Sequence, residues 1–154
     1  MDTVLVAYAT KRGSTREVAS DVARVIRERG FEVEISPARE VKKIDRYSAV
    51  VLGGALYMGR WHKDARKLLK RKRRELESVP LAVFAMGPRR TDPEAIERSR
   101  AQLTRALDAV SEVRPFSTAI FGGVIKKRGE IVDARDWDVI QKWAEEVARA
   151  LSAR

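Results

Sequence analysis

Apolar positions along this chain follow two rhythms, and the rhythms alternate. Short unbroken runs read as buried strands: Thr3–Tyr8, Ala49–Leu52, Leu81–Met86 and Ser117–Phe121. Glu32–Ser36 alternates apolar and polar residues and reads as a further strand, second in chain order. Between them lie amphipathic stretches. Ser14–Arg29 places Val18, Val22, Val25 and Ile26 at helical spacing and stops at Gly30. A short helical piece is expected around Arg39–Ile44, and a strongly basic helix over His62–Leu76. Asp92-Pro93 opens a helix running to about Ala109, with proline at its first position. The last helix is expected over Ala134–Leu151. Strands that read as continuous apolar runs, each followed by a helix, imply a parallel sheet covered on both faces. The pattern predicts a doubly wound α/β sandwich, with residues 1–154 forming one domain.

Composition narrows the chemistry more than the fold. The chain has no cysteine, which excludes disulfides, thiolate metal sites and a cysteine nucleophile. Its one histidine, His62, leaves no His-rich metal site or Ser-His-Asp triad. No apolar run approaches the ~18 residues of a membrane helix, and Met1-Asp2-Thr3 lacks a signal-peptide pattern, so a cytoplasmic protein is expected. The net charge of +10 suits acidic small molecules, acidic partners and anionic membrane surfaces. Nucleic acid also attracts basic surfaces, but no recognition motif accompanies the charge here.

In a doubly wound sheet, ligands bind outside the strand C-termini, where the strand order reverses. That rule directs attention to residues 9–15, 53–61, 87–92 and 122–130. The first loop, Thr10-Lys11-Arg12-Gly13-Ser14-Thr15, joins a strand to a helix with three hydroxyls, two cations and a glycine. Helix-terminal N–H groups and hydroxyls are donors to phosphate oxygens, and Gly13 permits close approach or positive φ. Ser14 or Thr15 could equally cap the helix. The fingerprints G-x-G-x-x-G and G-x-x-x-x-G-K-[ST] are both absent, which disfavours the usual dinucleotide and nucleoside triphosphate sites. The second loop, Gly53–Trp61, is apolar, aromatic and glycine-rich. Ala55, Leu56, Tyr57 and Gly59 would hold one side of a flat ring, the glycines offering main-chain donors at its rim. Gly87, Pro88 and Arg89 would hold the other side, while Trp61 is expected to pack beneath the following helix. A phosphate loop with two ring-holding loops describes a mononucleotide with a large planar ring, and flavin mononucleotide (FMN) fits best.

These residues resemble the flavodoxin-like superfamily over essentially the whole chain. Thr10–Thr15 is similar to its hydroxyl-rich FMN phosphate loop, with Arg12 standing where flavodoxins often carry another hydroxyl. The resemblance implies a three-layer sandwich with five parallel strands in the order 2-1-3-4-5. Nearer still is the menaquinone-dependent protoporphyrinogen IX dehydrogenase branch, which Thr10–Ser20, Gly53–Lys63 and Asp136-Trp137 resemble. That branch carries a long basic, aromatic insertion after the fifth strand, associated with membrane-bound quinone chemistry. Here only Lys126-Lys127-Arg128-Gly129-Glu130 and a few further residues fill that place.

The resemblance implies FMN held by Thr10, Lys11, Arg12, Gly13, Ser14 and Thr15 at its phosphate, and by residues 55–57, 59 and 87–89 at its ring. It further implies electron transfer with a redox partner, or oxidation of an acidic small molecule such as a tetrapyrrole with a quinone. Lys11, Arg12, Arg60, Lys63, Arg89, Arg90, Lys126, Lys127 and Arg128 all fall in or beside these loops, where ordinary flavodoxins are acidic. Such charge should raise the flavin's potential and favour an anionic substrate, partner or membrane surface. His62 is expected as a solvated surface residue, and the run Lys70–Arg74 as a solvated face at the opposite edge. The alternative is the same fold without flavin, using its basic surface for a polyanionic partner.

Overall fold

The computed structural model describes residues 2–154. Its central sheet contains five parallel strands: β1 (Thr3–Ala9), β2 (Glu32–Pro37), β3 (Ala49–Tyr57), β5 (Leu81–Met86) and β6 (Ser117–Phe121). They lie in the order β2-β1-β3-β5-β6, and a short strand, β4 (Arg60–Trp61), pairs antiparallel with the end of β3. With β5 and β6 counted as the fourth and fifth parallel strands, this is the expected 2-1-3-4-5 order.

The pleat sends alternate residues to opposite faces, and each face has its own helices. Val4, Val6, Tyr8, Val51, Phe84 and Phe121 meet α1 (Ser14–Glu28) and α5 (Trp137–Ser152). Leu5, Ala7, Leu52, Val83 and Ile120 face α2 (Lys63–Arg71), α3 (Arg73–Glu77) and α4 (Pro93–Asp108). β5 is buried at every position, as a central strand covered on both sides must be.

Four boundaries differ from those read in the sequence. The basic helix expected over His62–Leu76 breaks at Lys72 into α2 and α3. The break falls within five consecutive cations, where like charges three and four residues apart oppose a continuous helix. The piece at Arg39–Ile44 shrinks to one 3₁₀ turn, Ala38–Glu40, because Val41 turns extended and both it and Ile44 are buried. The third strand runs past Gly53-Gly54 to Tyr57, and with β4 it leaves only Met58 and Gly59 of the second expected loop outside strands. The last helix begins at Trp137, capped by the Asp136 carboxylate. The residues before it form a two-stranded hairpin, β7 (Val124–Lys127) and β8 (Glu130–Asp133), that pairs with no strand of the main sheet.

Candidate functional site

β1 hydrogen-bonds with β2 on one side and β3 on the other, so the strand order reverses at β1 and opens a crevice beyond its C-terminal end. Residues 10–15 leave β1 at this point. Thr10 Oγ1 accepts the Gly13 N–H at 2.9 Å, closing the loop, while its own O–H stays available as a donor. Gly13 takes φ 91°, a conformation that favours glycine, and stands at the N-cap of α1 without any side-chain cap. The other long helices end differently. His62 caps α2, Asp92 caps α4 at Ala95 N, and Asp136 caps α5. The first-turn N–H groups of α1 are therefore left without a side-chain acceptor. Thr15 adds a second unmet donor: it is fully buried, and its hydroxyl has no hydrogen-bond partner. A buried, unpaired hydroxyl at an uncapped helix start fits an anion such as the FMN phosphate.

The residues expected to hold a ring lie at the same edge. Lys11 Nζ sits 3.7 Å from the centre of the Tyr57 ring, linking the first loop to the second. Tyr57 and Arg60 pair across a two-residue turn in which Met58 (φ 52°) and Gly59 (φ 77°) both have positive φ, as a type I′ hairpin needs. The Gly87 N–H donates to Phe121 O at 3.2 Å, and the Gly123 N–H donates to Pro88 O at 3.1 Å. A methyl on Gly87 would meet Leu56 Cβ at 2.7 Å, so the second and third loops touch through this glycine. Thr10–Thr15, Ala55–Tyr57, Gly59 and Gly87–Arg89 thus share one edge, Tyr57 and Arg89 being exposed and Pro88 buried.

Three residues, Gly53, Gly54 and His62, sit otherwise than expected. Gly53 and Gly54 offer nothing to a ligand rim, because both lie inside β3. A Cβ on Gly53 would fall 2.0 Å from Phe84 Cζ on one face, and one on Gly54 would fall 2.6 Å from Trp61 Nε1 on the other. Each glycine makes room for an aromatic ring. Trp61 does pack inside, 1% exposed, donating Nε1–H to Gly54 O at 3.0 Å.

His62 is not a solvated residue. Its side chain is 16% exposed, and Nδ1 accepts the Asp64 N–H at 3.0 Å. Burial holds its pKa below the ordinary histidine value, with Lys63, Arg66 and Lys11 adding to the effect and Asp64 opposing it. Protonating Nδ1 removes the cap acceptor. The unfolded chain therefore binds this proton more readily, and stability should fall as pH drops from about 6.5 through the lower folded value. Melting wild type and His62→Asn at pH 7.5 and 5.5 tests this, since asparagine can still cap a helix. The wild type should lose more of its melting temperature than the variant; equal losses would contradict the assignment.

Arg135, Asp133 and Glu17 also reach this edge, although nothing in the sequence singled them out. Arg135 lies after β8 and Glu17 in the first turn of α1, so no local pattern joins them. Met58 was passed over as well: Met-Gly is not among the usual sequences of such turns.

Comparison with known proteins agrees with this fold. The flavodoxin domain family matches residues 5–146. The chain belongs to that family. FMN is the family's cofactor, so the flavin-free alternative is not retained. This flavodoxin-domain protein superimposes on a flavodoxin from the domain Archaea with a TM-score of 0.67 at 11% identity, over 97% of this chain and 99% of the other. A short-chain flavodoxin associated with a non-canonical PDU bacterial microcompartment gives 0.69 at 18% identity, over 98% and 99%. A sequence relative is protoporphyrinogen IX dehydrogenase [quinone] of Escherichia coli strain K12. It is 23% identical over 169 aligned positions, covering 94% of this chain and 93% of that protein. Those positions outnumber the 154 residues here, so the E. coli protein carries residues without counterpart in this chain. The chain is a flavodoxin-type redox protein.

Proposed function

We propose that this protein is an FMN-dependent oxidoreductase acting on an anionic substrate, and that the substrate is protoporphyrinogen IX with a quinone as electron acceptor. The observation that carries the reading is the charge at the cofactor edge. Lys11, Arg12, Arg60, Lys63, Arg89 and Arg90, in or beside its loops, and Lys126, Lys127 and Arg128 on the hairpin that follows β6 are all exposed, and of these only Arg90 has an ion-pair partner among the described residues, Asp92 at 3.2 Å. On α1, by contrast, Arg24 is held between Asp21 and Glu28. Beside the free cations stand Tyr57 (58% exposed), Met58 (83%) and Ile131 (69%). A tetrapyrrole with carboxylate side chains presents the matching pair of surfaces, a broad apolar ring and anionic arms. The E. coli relative, a protoporphyrinogen IX dehydrogenase [quinone], adds support.

FMN, when bound, supplies the redox chemistry. The chain's own part is to seat the phosphate at Thr10–Thr15, to flank the ring with Tyr57 and the turn that carries Arg89, and to draw carboxylates in with the cations. Each pair of electrons and protons leaving the tetrapyrrole converts one quinone to its quinol, so the reaction balances without oxygen.

The test is anaerobic oxidation of protoporphyrinogen IX with menadione, followed by porphyrin fluorescence. The FMN-loaded protein should form porphyrin faster than free FMN. Its KM should rise with salt, and should rise roughly tenfold in a Lys126→Gln, Lys127→Gln, Arg128→Gln variant. Turnover no faster than free FMN would remove the tetrapyrrole. A KM indifferent to salt would remove the role given to the charge.

A further inference from the structure

We propose that Arg135 is a positioning residue that makes the α1 terminus selective for a phosphate. The inference rests on the FMN site described above and assigns it a residue from outside the three ligand loops. Arg135 is 10% exposed, and its guanidinium faces four groups. Nε and one terminal nitrogen donate to the two oxygens of Asp133 at 3.0 and 2.9 Å, the fork geometry that arginine favours. The other terminal nitrogen donates to Glu17 Oε1 at 3.2 Å and to the Ser14 carbonyl at 3.4 Å. The guanidinium also lies 4.9 Å from the centre of the Trp137 ring.

Glu17 is the reason this matters. It is the acidic residue in the first turn of α1, and it competes with a bound phosphate for the positive end of the helix. A phosphate entering that site meets a neighbouring negative charge unless the charge is answered. Arg135, its fork held by Asp133, offsets that charge with its remaining terminal nitrogen, and through the Ser14 carbonyl it also braces the first turn against the base of the β7–β8 hairpin. Lys11, Arg12 and Arg16 carry charge on the same stretch of chain, yet none of them is paired with Glu17. The pairing depends on Arg135.

The experiment compares FMN with riboflavin, which presents the same ring without the phosphate. Apoprotein is titrated with each, following flavin fluorescence. Arg135→Gln should weaken FMN about tenfold and leave riboflavin unchanged. Glu17→Gln added to that variant should restore most of the lost FMN affinity, and added salt should narrow the gap between wild type and Arg135→Gln. Glu17→Gln alone, an exposed substitution that tests the idea even if the arginine variant folds poorly, should tighten FMN severalfold with riboflavin unchanged. Equal weakening of both flavins by Arg135→Gln, or failure of Glu17→Gln to restore FMN binding, would overturn the proposal. Wild-type protein that bound neither flavin would instead overturn the cofactor assignment, and this proposal with it.

Discussion

A Thr15→Val variant is expected to bind FMN roughly 10- to 100-fold more weakly while its apoprotein melts no lower than the wild type. The two effects have one cause. Thr15 is fully buried and its hydroxyl has no partner, so the apoprotein carries an unmet donor inside the fold. Such a group costs about 1–3 kcal/mol, and valine removes it while keeping the shape. The melting temperature of the apoprotein should therefore stay level or rise by a few degrees, about 2–4 °C per kcal/mol at this size. A phosphate seated at the α1 terminus supplies the missing acceptor, and a hydrogen bond to a charged group contributes about 1.5–3 kcal/mol. Valine forfeits that contribution. Fluorescence titration with FMN and calorimetry of the apoprotein measure the two sides separately. A variant that lost stability and kept its FMN affinity would show that the hydroxyl serves the fold and not the ligand.

Gly53→Ala should be the most damaging single methyl addition on the β3 strand. The new Cβ would lie 2.0, 2.3 and 2.4 Å from three carbons of the Phe84 ring, far inside contact distance. The ring cannot retreat: Phe84 is completely buried, with Phe121 at 5.5 Å and Trp143 at 5.8 Å between ring centres. Neither can the strand, since Gly53 is registered against Tyr8 on β1 and Phe84 on β5. Overpacking a core typically costs about 1–3 kcal/mol, and here both neighbours are fixed, so a loss of at least about 3 kcal/mol is expected. That corresponds to a melting temperature lower by about 6 °C or more. A companion Phe84→Leu substitution, which shortens the ring side chain, should recover part of the loss. A Gly53→Ala protein as stable as wild type would refute the packing argument.

The layers of the fold were legible because they follow from local repetition. Val4 to Ala9 is an unbroken apolar run because β1 is covered on both faces, and Val18, Val22, Val25 and Ile26 recur at helical spacing because one side of α1 meets the sheet. The ligand edge followed from topology, since parallel strands bring all their C-terminal ends together. Less could be read where one short segment serves two purposes. Gly53-Gly54 opened a loop whose glycines were expected to offer main-chain donors, and is a space kept for Phe84 and Trp61. His62 looked solvated because it opens a basic helix, whereas its ring turns back to cap that helix at Asp64. Lys126–Glu130 looked like a plain loop, yet it pairs into a hairpin around Arg128 and Gly129, both with positive φ.

The order of residues was enough to predict a parallel three-layer sandwich with a loop of hydroxyls, cations and a glycine after its first strand. Burial preference and helical spacing are properties of neighbouring residues, and the chain states them directly. Which loop hydroxyl goes unpaired, which glycine clears an aromatic ring, and which cation answers Glu17 required the folded chain. Arg135 and Glu17 are 118 positions apart, and the strength of their pairing depends on a separation of 3.2 Å that chain order does not encode. Hydrogen bonds and ion pairs act over distances in space, and only the packing of α1 against the base of the β7–β8 hairpin sets that distance.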